Sequence, residues 1–112
     1  MPEQSELITL DVAAELLHVS IKGVHQLLGD GDLVDVRGDD GIRRVPAAFI
    51  GAGVVVKALP AVITLLRDAH YRNDEIVGWL FRDDDSLPGT PIQALRENRG
   101  REVKRRAQVA GF

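Results

Sequence analysis

The sequence predicts a mainly α-helical chain with one small β-hairpin. Apolar residues recur three and four apart through most of its 112 residues, which is the signature of amphipathic helices. Helix caps and helix-starting prolines (Thr9, Ser20, Asn73, Thr90; Pro60, Pro91) punctuate that pattern. β-branched runs flank a turn rich in Gly and Asp around 38–41, and this is the one clear hairpin signal.

Thr9 is placed to cap a first helix, Leu10–Leu17, after a loose tail Met1–Ile8. Leu10, Ala13, Ala14 and Leu17 share one face of it, and Asp11 suits the positive end of the helix dipole. His18-Val19-Ser20 breaks the chain, with His18 tolerant of the left-handed conformation. Ser20 caps a second, short helix, Ile21–Asp30, and Gly31 stops it. Val24, Leu27 and Leu28 form its apolar stripe, and Lys22, Gly23, His25 and Gln26 fall elsewhere. Leu33–Arg37 and Ile42–Val45 then read as the strands of the hairpin. Pro46 ends the second strand and opens a short helix through Ile50.

Gly51-Ala52-Gly53 is the best internal boundary, dividing the chain into residues 1–53 and 54–112. Val54–Lys57 is ambiguous between strand and buried helix. Helices are expected from Pro60 to about Tyr71, over Asp74–Phe81 behind Asn73, from Pro91 to about Asn98, and over Arg101–Ala110 beyond a break at Gly100.

Helix, tight turn, capped short helix, then hairpin is the order of a winged helix-turn-helix. In that arrangement the second helix presents its N-terminal residues to the major groove of DNA. Ser20, Lys22, Gly23, His25 and Gln26 are its candidate contacts, with Gly23 allowing close approach. Arg37, Arg43 and Arg44 on the wing are candidates for phosphates or the minor groove.

The net charge of −3 confines any footprint for an anion to local patches. Residues 1–60 hold five Lys/Arg against nine Asp/Glu, whereas Arg96–Arg106 holds six basic residues and two acidic ones. That stretch is either a solvated helix face with Glu97–Arg101 and Glu102–Arg106 pairs, or a second grip on the DNA backbone through Lys104, Arg105 and Arg106.

Other chemistries find little support. There is no cysteine, hence no disulfide or thiolate metal site, and a reducing cytoplasm fits. His18, His25 and His70 lack metal-site spacing. Asp83-Asp84-Asp85 lacks the alternation and distal Glu of a calcium loop. No phosphate-binding Gly-rich loop, nucleophile elbow or carboxylate pair is present, so neither an enzyme nor a cofactor is expected. No apolar run spans a bilayer and the polar N-terminus is no signal peptide. The expected setting is the cytoplasm, in association with the nucleoid.

The segment "LITLDVAAELLHVSIKGVHQLLGDGDL" resembles the start of excisionase-like and MerR-like winged helix-turn-helix domains. The likeness rests on Thr9, Ala13, Ala14, Leu16, Leu17, Val19, Ser20, Val24, Leu27, Leu28, Gly31 and Leu33, and continues at Val45-Pro46. The whole chain, including an ending of the type "WLF…DDSLPGTPIQALRENRGREVKRRAQ" from Trp79 to Gln108, resembles a small actinobacterial family of DNA-binding proteins. The resemblance implies duplex DNA as partner and a role in transcription regulation.

Two alternatives stay open. "PGTPIQALRENRGREV" resembles part of an antitoxin's toxin-binding domain, which implies a protein partner for the C-terminal helices. Leu65, Ile76 and Trp79 either pair two subunits or cover the core of the winged domain.

Overall fold

The computed structural model describes residues 6–84, 87 and 89–110. Ser5 and most of the expected tail lie outside the described residues, as does Asp85 of the aspartate run. Among the described residues there are six α-helices and five short strands.

Leu7–Thr9 is not loose. It forms strand β1, antiparallel to β3 (Arg43–Pro46), with Ile8 opposite Val45. Val45 is buried and Ile8 packs against the core, and that burial orders the segment. Thr9 stands at the N-cap of α1 (Leu10–Leu17), but its side chain makes no cap bond. It hydrogen-bonds the Asp11 carboxylate instead, which holds Asp11 below the ordinary carboxyl pKa, helped by the backbone N–H groups of Asp11 and Val12. His18 closes α1 in the left-handed conformation (φ 58°, ψ 40°), as the sequence implied.

Helix α2 (Ile21–Asp30) is bounded by Ser20 and by Gly31, whose φ of 82° suits glycine. In this helix only Val24 is fully buried, while Leu27 and Leu28 are half-buried. Strand β2 is shorter than expected, Val36–Arg37, because Leu33 and Val34 turn into the core without sheet pairing. The first sheet has the order β1-β3-β2.

A 3₁₀ turn at Ala47–Phe49 follows Pro46. The Gly51-Ala52-Gly53 segment is then the turn of a second hairpin, β4 (Ile50–Gly51) with β5 (Val54–Val55). This settles Val54–Lys57 as strand at its start.

The C-terminal half comprises α3 (Leu59–Asp68), α4 (Asn73–Leu80), α5 (Pro91–Arg96) and α6 (Gly100–Gln108). Asn73 is the first residue of α4 and not its cap. The backbone N–H of Arg72 donates to Glu75 Oε1 at 2.8 Å in its place. Thr90 caps α5 as expected, its Oγ1 accepting from the Gln93 N–H at 3.2 Å. The break before α6 falls at Asn98 (φ 66°), whereas Gly100 lies inside the helix. A Cβ at Gly100 would sit 2.7 Å from Ala58 Cβ, so that glycine lets α6 start against the start of α3. The far end of α6 is tied by Tyr71 Oη, which donates to the Ala110 carbonyl at 3.4 Å.

One apolar core runs through both halves of the chain. Phe49, fully buried, stacks on Phe81 with ring centroids 6.1 Å apart. Arg96 Nη1 donates to the carbonyls of Ala48 (2.8 Å) and Ile50 (3.2 Å). Of the two readings open for Leu65, Ile76 and Trp79, the packing supports cover of the core: Ile76 is completely buried, and Leu65 and Trp79 pack half-buried against the same core. Ile92 and Leu95 of the antitoxin-like segment are also core residues. Among the described residues no helix is long and apolar enough to cross a membrane.

Ile76→Ala is expected to cost about 2–5 kcal/mol in urea denaturation, the range for a buried Ile cut to Ala, and Leu27→Ala less, because Leu27 is half-buried. A fragment ending at Gly53, lacking the partners of Phe49, is expected to show poorly dispersed amide NMR signals.

Candidate nucleic-acid interface

Ser20 Oγ accepts from the Gly23 N–H at 3.1 Å, satisfying one of the orphan donors at the start of α2. Gly23 has an internal reason for being glycine. A Cβ there would come 3.2 Å from Val19 Cβ, so the absent side chain makes room for Val19 in the turn, whatever approaches from outside. With Val24 buried and Leu27 and Leu28 half-buried on one side, the helix leaves Lys22, His25 and Gln26 exposed on the other. Those three residues therefore share a free face next to the N-terminus of a helix whose dipole favours an anion.

The wing arginines do not form one patch. In the antiparallel register Arg37 stands opposite Arg43, while Arg44 stands opposite Val36 on the other face of the sheet. Arg43 Nε donates to Asp35 Oδ2, and Asp35 Oδ1 accepts from Asn73 Nδ2 at 3.3 Å. Asp35 thereby ties the wing to α4. Arg44 makes a two-pronged pair with Asp40, Nη2–Oδ2 at 3.0 Å and Nη1–Oδ1 at 3.3 Å. Asp40 also accepts from the Ile42 N–H at 3.0 Å, which shapes the tip. Arg43 and Arg44 are thus each bound to an aspartate of their own. Arg37 is exposed and has no ion-pair partner among the described residues.

Beside α2 lies a cleft of about 620 Å³, lined in part by His25, Arg43, Arg67, Asp35 and Asp68. It brings His25 and Arg43 together and adds Arg67, from the last turn of α3, which sequence reasoning missed. Nothing local marks Arg67, because the folded arrangement brings the end of α3 to the same cleft as α2.

The basic stretch divides. Lys104 and Arg105 are exposed on α6, whereas Arg106 is half-buried and its Nη1 donates to the Glu102 carbonyl at 3.2 Å. Glu97 pairs with Arg99 (2.6 Å), in place of the expected Glu97–Arg101 pair. Helix α6 packs chiefly against α3 and α5, so Lys104 and Arg105 stand on a surface of the C-terminal half. That surface also carries Lys57 and Arg101, which line a shared groove with Lys104.

This geometry has close relatives. Residues 1–50 match a family described as "DNA-binding protein Rv2175c, wHTH domain", and residues 56–111 match "Rv2175c C-terminal domain of unknown function". The chain belongs to the Rv2175c family. The DNA-binding protein Rv2175c of Mycobacterium tuberculosis is 40% identical over 111 residues, which cover 88% of this chain and 76% of that protein. The NMR structure of Rv2175c superposes with a TM-score of 0.86 at 38% identity, covering 96% of this chain and 82% of that one. The actinobacterial family resembled in the sequence, winged domain and helical C-terminal region together, is the one matched.

Asp40 provides a test of the wing geometry. The Arg44 hydrogen bond, followed by the Ile42 N–H, holds its pKa below the ordinary value of 3.8. A depressed carboxyl pKa adds stability that is present above the unfolded value and is lost as pH falls through the folded one. The solvent exposure of the pair keeps that contribution small. In an NMR titration of the side-chain carboxyl, the Asp40 midpoint should lie below 3.8 and move up toward it in Arg44→Ala.

Proposed function

We propose that this chain binds double-stranded DNA through α2 and the wing and acts as a transcriptional regulator in the cytoplasm, associated with the nucleoid. One observation carries the reading. A short helix, capped by Ser20 and stopped by Gly31, spends one face on the core and leaves Lys22, His25 and Gln26 exposed beside a β-wing. Membership of a family with a relative named a DNA-binding protein supports it.

The residues take different roles. Lys22, His25 and Gln26 meet the groove, while Ser20 and Gly23 hold the helix start in shape. Arg37 is the wing's unpaired cation and the first to meet a phosphate. Arg43 and Arg44 arrive paired with Asp35 and Asp40, so a phosphate must displace or share those carboxylates. Lys104 and Arg105 extend the footprint from α6, with Arg106 positioning that helix more than touching DNA. Residues 1–53 form the reading unit, and residues 54–112 form the unit that holds it in place. The protein is a binding protein and not an enzyme.

Fluorescence anisotropy with a random-sequence duplex at two salt concentrations tests this. Affinity should fall steeply as salt rises, because phosphate contacts release counterions. Lys22→Ala with His25→Ala should weaken binding while the circular dichroism spectrum is retained. Lys104→Ala with Arg105→Ala should flatten the salt slope by about one unit for each phosphate no longer neutralised. Asp40→Asn, which frees Arg44, should strengthen binding. Salt-independent or absent binding would exclude the proposal.

A further inference from the structure

Ile21, the first residue of α2, is a large apolar side chain left 46% exposed. It belongs neither to the buried core nor to the half-buried layer packed against that core. Its neighbour Val19 is also exposed, but Val19 has a structural reason to be apolar, since it lies over Gly23. A single exposed isoleucine needs no explanation on an ordinary surface. This one stands between Ser20 and Lys22, at the end of α2 that meets base edges when a recognition helix enters the major groove.

Resting on the DNA-binding reading above, we propose that Ile21 reads the C5-methyl group of thymine. The chemistry is restrictive. Base edges in the major groove offer hydrogen-bond donors and acceptors, and the thymine methyl is the apolar group among them. A side chain without donors or acceptors, set against any other base edge, leaves a polar group dehydrated and unpaired. Against thymine it removes apolar surface from water on both sides. The β-branch of Ile also restricts χ1, so docking the side chain on the methyl costs little rotamer freedom. His25, exposed one turn further along the same helix, is the polar neighbour of Ile21 and supplies a contact beside that methyl. The site therefore favours thymine over cytosine at one position, and it treats 5-methylcytosine as a thymine.

The test compares two short alternating duplexes, one of A·T pairs and one of A·U pairs, which differ by the methyl group and carry the same backbone charge. Measured by anisotropy at low salt, the full chain should bind the A·T duplex about fourfold more tightly, the ratio for burying one methyl group. Ile21→Ala, at an exposed position that the fold tolerates, should bring the two affinities together. It should leave the salt slope unchanged. Methylating cytosine C5 in an alternating G·C duplex should raise the affinity of the unsubstituted chain and not that of Ile21→Ala. Equal affinity of the unsubstituted chain for the A·T and A·U duplexes would overturn the proposal, as would a methyl preference that survives in Ile21→Ala. Binding that is strong and salt-dependent but blind to the methyl group would sink only this inference. Absence of binding to every duplex would sink the DNA-binding reading and this inference with it.

Discussion

A core shared between the two halves is the constraint on which the rest of the structure depends. The winged half places Ala13, Ala14 and Ala48 among its buried residues, and such small side chains bury little apolar surface. Its largest core side chain, Phe49, finds its ring partner in Phe81 of the other half. The carbonyls of Ala48 and Ile50 receive hydrogen bonds from Arg96. A segment this small rarely closes a sufficient core by itself, and here Leu59, Ile63, Leu66, Ile76 and Leu80 complete it. Helix α2 is held in place by the result, since its fully buried contact is a single valine.

The same economy shapes the surface. With its apolar side narrow, α2 keeps a broad polar face, which carries Lys22, His25 and Gln26. The wing beside it is electrically balanced, with Asp35 and Asp40 occupying Arg43 and Arg44. Basic character reappears on α6, carried on α3. An overall acidic chain thus confines its positive potential to particular faces, which favours oriented docking over indiscriminate attraction. Asp35 has a double role, fixing Arg43 on the wing and accepting from Asn73 at the head of α4, so wing geometry and the C-terminal half are mechanically coupled.

Much of this was legible in the sequence because the signals are local. His18, Ser20 and Gly31 announce the turn and the helix through backbone conformation and capping, and all three behave as read. Pro91 behind Thr90 does the same for α5. What escaped depends on contacts between distant segments. Strand β1 exists because β3 lies beside it, which nothing within Leu7–Thr9 reveals. Leu33 and Val34 look like strand residues, yet they are drawn into the core without pairing. Ala58 and Asn98 adopt positive φ without the glycine that usually signals it. In the candidate site the exposed face of α2 was legible from periodicity, whereas the aspartate partners of Arg43 and Arg44 and the approach of Arg67 are products of the folded arrangement.

Equilibrium unfolding followed in both halves at once tests the shared core most directly. Trp79 fluorescence reports the C-terminal helices, and the NMR methyl signals of Val24 and Leu33 report the winged half. One core predicts coincident urea transitions with the same midpoint and slope at both sets of probes. A winged half that keeps its Val24 and Leu33 signals after the Trp79 transition is complete, or loses them well before it, would contradict a shared core.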